Sequence, residues 1–120
     1  MAEHNITGQK GEEAATNYLL EKKYEILERN WHYKNAEIDI IARFGNELII
    51  VEVKTRKTNY FGEPETWVTR EKQRLLIKAT AAYIEKSKID LEVRFDIISI
   101  LMKGEQLQIN HIEAAFYPLR

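Results

Sequence analysis

Two short apolar runs carry ionisable residues where a strand would bury side chains: Glu37-Ile38-Asp39-Ile40-Ile41-Ala42 and Leu48-Ile49-Ile50-Val51-Glu52-Val53-Lys54. An ionised carboxylate among isoleucines and valines is costly unless a cation or a hydrogen-bonding network compensates it. On a strand, residues two apart share a face, so Glu37 and Asp39 point one way together, as do Glu52 and Lys54. If the two strands pair, Asp39 and Glu52 converge near one end of the sheet and make a hard oxygen site suited to Mg²⁺ or Mn²⁺. Such an ion polarises a phosphoryl oxygen and lowers the pKa of a bound water. Lys54 would reach the same space, to orient or deprotonate that water or to stabilise transition-state charge. The chemistry indicated is metal-dependent hydrolysis of a phosphodiester. The competing reading of Glu52 and Lys54 alone is a salt bridge on a wet strand face, for Glu-x-Lys is common in strands. Asp39 in the preceding apolar run weighs against it.

The 120-residue chain is long enough for one domain with a real core, and 44% hydrophobic with 31% charged residues is ordinary for a soluble protein. The absence of cysteine excludes disulfide frameworks, thiolate zinc sites and thiol nucleophiles. The start, Met-Ala-Glu-His-Asn, lacks the basic and apolar regions of a signal peptide, and no apolar run approaches the ~20 residues of a membrane helix. A cytoplasmic protein with no membrane partner is expected. The net charge of −1 hides an asymmetry. From Lys54 to Lys78, seven basic residues (Lys54, Arg56, Lys57, Arg70, Lys72, Arg74, Lys78) face three acids (Glu63, Glu65, Glu71), leaving that segment at +4 and the remainder at −5. Polyanion binding depends on where positive charge lies rather than on its total. Lys72 and Arg74, near a helix start, and Arg56, beyond Lys54 on its strand face, are therefore candidates for phosphate contact. The alternatives are a solvated helix face for the first two and an exposed ion pair for Arg56.

The elements that must position these residues follow from periodicity. A helix is expected from about Gly8 to Lys23, with Thr7 as N-cap and Ala15, Tyr18, Leu19 and Ala14 facing inward. Tyr24 to Leu27 reads as a short strand and Trp31 to Asn35 as an irregular turn. Glu37 to Arg43 and Leu48 to Arg56 are strands joined tightly through Phe44-Gly45-Asn46-Glu47, antiparallel to each other. Lys57 to Val68, with Asn59, Gly62 and Pro64, reads as a loop anchored by Tyr60, Phe61 and Trp67. A long helix runs from about Arg70 to Ser87, with Leu75, Leu76, Ala79, Ala82 and Tyr83 on its inner face. Leu91 to Leu101 and Gln106 to Ile112 are two strands joined through Lys103-Gly104. The predicted order is α-β-β-β-α-β-β. Asp96 beside Arg94 at i, i+2 spacing favours a structural pair. His4, His32 and His111 have no ligand spacing and are assigned to no metal. Trp31, Tyr60, Phe61 and Trp67 suit core or loop anchoring better than base stacking.

Asp39 followed by Glu52-Val53-Lys54 resembles the PD-(D/E)xK nuclease superfamily. More closely, the whole chain resembles the bacterial YraN-type endonuclease-like proteins, related to archaeal Holliday junction resolvases. The matching pieces are Gly8-x-x-Gly11-Glu12-x-x-Ala15, Arg29-Asn30, Glu37-Ile38-Asp39-Ile40-Ile41-Ala42, Val51-Glu52-Val53-Lys54-x-Arg56, Phe61-Gly62, Lys72, Arg94-Phe95-Asp96 and Ala115-Phe116. The resemblance implies a single restriction-endonuclease-like α/β domain over residues 1–120, a mixed sheet flanked by helices. It implies Asp39 and Glu52 as metal ligands, Lys54 as the catalytic lysine, and Glu12 as the first-helix acid completing the cluster. For Glu12 a plain alternative is an acid favoured by the helix macrodipole. Glu37 matches the acid two before the aspartate, without a defined role. Ala36 stands where relatives usually carry glycine, which narrows backbone freedom there. The expectation is a Mg²⁺- or Mn²⁺-dependent nuclease acting on DNA, branched or damaged DNA included. The alternative is a nucleic-acid-binding module of the same fold that does not cut, and a third is a structural protein dimerising through an apolar edge. Symmetric cutting of a junction would favour a homodimer.

Overall fold

Period-2 runs rich in isoleucine and valine build the middle of a five-stranded sheet, and two amphipathic helices cover its faces. The computed structural model describes residues 2–57 and 68–117, with side chains from residue 8 onward. Tyr60, Phe61 and Trp67, the turn residues Asn59, Gly62 and Pro64, and the side chains of His4 and Thr7 lie outside the described residues. The elements are α1 (Ala2–Glu21), β1 (Glu25–Tyr33), β2 (Ala36–Phe44), β3 (Glu47–Arg56), α2 (Arg70–Ser87), β4 (Glu92–Lys103) and β5 (Gln106–Phe116). This mixed α/β arrangement has the predicted order α-β-β-β-α-β-β. The spatial order of the strands is β1-β2-β3-β4-β5. All neighbours are antiparallel except β3 and β4, which run parallel. Only a crossover can join parallel neighbours, and α2 lies within that connection.

Three expectations are corrected. Helix α1 begins at Ala2, so Thr7 lies within the helix rather than capping it. Trp31 to Tyr33 is not a turn: β1 continues through a bulge between Ile26 and Glu28 and pairs with β2 as far as Tyr33↔Ala36. A bulge shifts the alternation by one residue, which hides a strand from a period-2 reading. The chain reverses at Lys34-Asn35, where Lys34 takes φ 54°. Ala36 opens β2 without a positive φ, so the reversal makes no demand for glycine there. Finally, Leu75 on α2 is 36% exposed, whereas Thr80 takes an inward place beside Leu76, Ala79 and Tyr83. Thr80 satisfies its hydroxyl by donating to the Leu76 carbonyl at 2.7 Å. The α2 boundaries are otherwise those expected, with Thr69 accepting from the Lys72 N–H as N-cap.

The sheet separates two apolar clusters. Under α1 lie Ile40, Ala42, Ile49, Val51, Ile98 and Ile100, together with Ala15 and Leu19 of the helix itself. Under α2 lie Ile38, Ile41, Leu48, Ile50, Phe95 and Ile97, together with Leu76, Ala79 and Tyr83 of the helix itself. Trp31 packs edge-on against Tyr83 at 5.2 Å, a core anchor rather than a free stacking platform. Asp96, fully buried in β4, is the structural partner expected of Arg94. Its oxygens accept from Arg94 Nε at 2.9 Å, Arg94 Nη2 at 2.8 Å and the Ala114 N–H at 3.0 Å. His111 Nε2 lies 2.6 Å away. Burial opposes the charge on Asp96, but His111, Arg94 and the Ala114 N–H outweigh it and hold the carboxyl below its ordinary range. Arg94 extends the network to Tyr24 Oη at 2.8 Å, tying β4 to the α1–β1 connection.

Candidate functional site

The central sheet forks, and the acids sit at the fork. β2 and β3 pair only from Ile40↔Val51 to Phe44↔Glu47, whereas β1 stays paired with β2 back to Ala36 and β4 stays paired with β3 out to Arg56. Past Ile40 and Val51 the two central strands therefore part, and backbone donors on β3 lose their β2 acceptors. Asp39 supplies one: its Oδ2 accepts from the Val53 N–H at 2.8 Å. A short carboxylate thus replaces a missing rung and is fixed by it.

Alternation along β3 decides what surrounds the fork. Leu48 and Ile50 face the α2 cluster, so Glu52 and Lys54 follow on that side, while Ile49, Val51 and Val53 face α1. Glu52 is only 3% exposed and lies under the first turn of α2, where Lys72 Nζ comes to 2.5 Å from its Oε2. Burial opposes the Lys72 charge, but its bond to Glu52 outweighs that and holds the ammonium above its ordinary range. Asp39 meets Glu52 across the fork. Burial and the neighbouring Glu52 carboxyl together push Asp39 up to about 9, against the lowering effect of the Val53 N–H. Lys54 is partly buried, and desolvation, with Lys72 and Arg56 beside it, holds its ammonium below the usual range despite Glu52.

The α1 side adds two more acids. Gly11 lets α1 approach β3: a Cβ there would stand 1.9 Å from Thr55 Oγ1 and 3.1 Å from Thr55 Cβ. That contact brings Glu12, the next residue, over the fork. Burial raises the Glu12 carboxyl above its ordinary value, opposed by Asn30 and reinforced by Glu37. Asn30 takes the left-handed conformation (φ 52°), which asparagine tolerates better than most residues. With its amide nitrogen turned toward the acids, as the surrounding acceptors require, it donates to Glu12 Oε1 at 2.8 Å and reaches Glu37 Oε1 at 3.3 Å. His32 Nε2 lies 2.7 Å from the other Glu37 oxygen. One oxygen from each of Glu12, Glu37 and Asp39 falls within 4.8 Å of the others. Three hard donors this close, two of them with raised pKa, suit a divalent cation with oxygen ligands. An open cavity of about 470 Å³ lies over these acids, and Lys54, Thr55 and Arg56 form its β3 wall.

Asp39, Glu52, Lys54 and Glu12, named from the sequence, are thus brought together. The oxygen triad, however, takes Glu37 rather than Glu52 as its third member, and Glu52 pairs with Lys72 instead. Arg56 lines the cavity, and Arg74 is exposed on α2 away from it. Two roles were not legible beforehand: the Asn30 bridge and the Lys72–Glu52 pair. An Arg-Asn dipeptide within β1 gives only a weak signal for the first, and no local signal exists for the second.

A family model described as an uncharacterised protein family, UPF0102, matches residues 11–100. The chain is 52% identical over 118 residues to a UPF0102 protein of Phocaeicola vulgatus, with 98% of each chain covered. It is 51% identical over 117 residues to one of Christiangramia forsetii and 50% identical over 121 residues to one of Flavobacterium johnsoniae, again over 98% of each. The matched stretch takes in every charged residue of the cluster, from Glu12 to Lys72, and by that match and these relatives the chain belongs to the UPF0102 family.

Proposed function

We propose that this chain is a Mg²⁺- or Mn²⁺-dependent nuclease that hydrolyses phosphodiester bonds in DNA, with its site at the β2–β3 fork. The observation that carries the reading is the convergence of Asp39, Glu52 and Lys54 at the fork, beside an open cavity where oxygens of Glu12, Glu37 and Asp39 lie within 4.8 Å. The likeness of Asp39 and Glu52-Val53-Lys54 to the PD-(D/E)xK pattern supports it. Asp39, Glu12 and Glu37 would hold the ion, with Glu52 adjoining, and the bound ion would supply Lewis acidity toward a phosphoryl oxygen and an attacking water. Lys54, held below the usual ammonium range, is suited to take the water's proton as its oxygen bonds to phosphorus. The bond to the leaving sugar oxygen then breaks, and that oxygen takes a proton from solvent. Arg56 on the cavity wall gives the phosphodiester a cationic neighbour.

The test is cleavage of end-labelled branched DNA, linear duplex, single strand and RNA in Mn²⁺, alongside EDTA and Lys54→Ala controls. The expected result is cleavage of DNA that disappears in both controls. Cleavage that persists in Lys54→Ala, or no cleavage of any substrate, would overturn the reading. A second reading, a DNA-binding module that does not cut, draws on the neutralisation of Glu52 by Lys72. It predicts DNA binding that weakens steeply with salt and strengthens or holds in Glu52→Ala, with no cleavage at any metal concentration.

A further inference from the structure

We propose that Lys72 is a built-in counter-ion of the metal-free site, exchanged for the divalent cation when one binds and thereby freed to meet the substrate's phosphate. This rests on the cation-dependent reading above.

Glu52 is 3% exposed and needs a positive partner, and the one in contact is a side chain from a different element, α2. Lys72 meets Glu52 with a compact ammonium on a flexible stem. A point charge of that kind can give place to another cation. The Lys72 side chain is itself 38% exposed, so its head can leave Glu52 for solvent without disturbing the core. Lys54 and Lys72 interact directly and crowd the same carboxylate. A doubly charged ion at the adjoining acids would add to the crowding. Lys72 sits at the third position of α2, its own N–H bound to the Thr69 cap at 3.2 Å. Once released, the ammonium stays beside the positive end of a helix, where a phosphate is favoured.

The exchange predicts opposite signs for two affinities. With Lys72→Met, Mn²⁺ no longer competes with an ammonium, and its affinity should rise by about tenfold or more for the loss of one nearby charge. Duplex DNA affinity in Ca²⁺ should fall in the same variant. Lys72→Arg, which keeps the charge, should bind Mn²⁺ no more tightly than wild type. A purely structural lysine would weaken both affinities when removed, so the opposed signs discriminate. Full-length protein is used, with free Mn²⁺ followed by electron paramagnetic resonance and DNA binding by anisotropy. Unchanged or weaker Mn²⁺ binding by Lys72→Met would overturn the exchange while leaving the cation reading intact. If wild type binds no Mn²⁺ at all, both fall together. Should Lys72→Met fail to fold, ¹⁵N-lysine spectra of wild type titrated with Mg²⁺ serve instead: the Lys72 Nζ signal should move to a free-ammonium position, and a fixed signal would overturn the proposal.

Discussion

Asp39→Asn should make the metal-free protein less sensitive to pH, and the size of the effect follows from the site. In the folded chain, burial and Glu52 push the Asp39 carboxyl up to about 9, against a starting value of 3.8. A carboxyl whose folded pKa is raised destabilises the fold as pH rises, because the unfolded chain gives up the proton first. The loss begins near the unfolded value and is complete only above the folded one, so the interval from pH 5.5 to 7.5 lies within it. One proton taken up on folding corresponds to about 1.4 kcal/mol per pH unit, or about 3 kcal/mol over those two units. Sharing of the proton with Glu52 and the partial exposure of Asp39 reduce this to about 1–2 kcal/mol. Asparagine preserves the shape and keeps an oxygen for the Val53 N–H, but it does not titrate. Urea unfolding of both proteins in EDTA at about pH 5.5, 6.5 and 7.5 measures the difference, and the histidines cancel because both proteins contain them. Asp39→Asn should gain on wild type progressively as pH rises. Parallel pH profiles, or a gap that narrows toward pH 7.5, would refute the placement of Asp39 against Glu52.

Two further substitutions probe the framework. Arg94→Ala strands the fully buried Asp96 carboxylate without its bidentate partner and should cost about 3–5 kcal/mol in urea unfolding; a loss under 1 kcal/mol would mean that His111 and the Ala114 N–H suffice. Gly11→Ala forces a methyl onto Thr55, displacing α1 and with it Glu12; it should destabilise by about 1–3 kcal/mol and weaken Mn²⁺ binding, and unaltered Mn²⁺ affinity would detach α1 from the site.

Much of this architecture is legible in the chain itself, for local reasons. Ile38 to Ala42 and Leu48 to Val53 are runs rich in β-branched residues around the tight Gly45-Asn46 reversal, and such side chains fit a pleated, buried surface. Thr69, Glu71 and the spacing of Leu76, Ala79 and Tyr83 set α2 because capping and helical periodicity act within a few turns. Acids inside apolar strands announced themselves by their cost, which is why Asp39, Glu52 and Lys54 could be named from sequence. In β1 the local pattern failed through backbone irregularity: the bulge and the left-handed Asn30 break the alternation that a strand reading depends on. The partition of the acids was decided by tertiary structure alone. Whether Glu37 or Glu52 joins Glu12 and Asp39 depends on where β2 and β3 part. Lys72 reaches Glu52 because the chain crosses over to place β4 parallel to β3, setting the start of α2 above that face. Electrostatic partnership falls off with distance in space, and only the folded sheet converts the 20-position sequence separation of Glu52 and Lys72 into a contact of 2.5 Å.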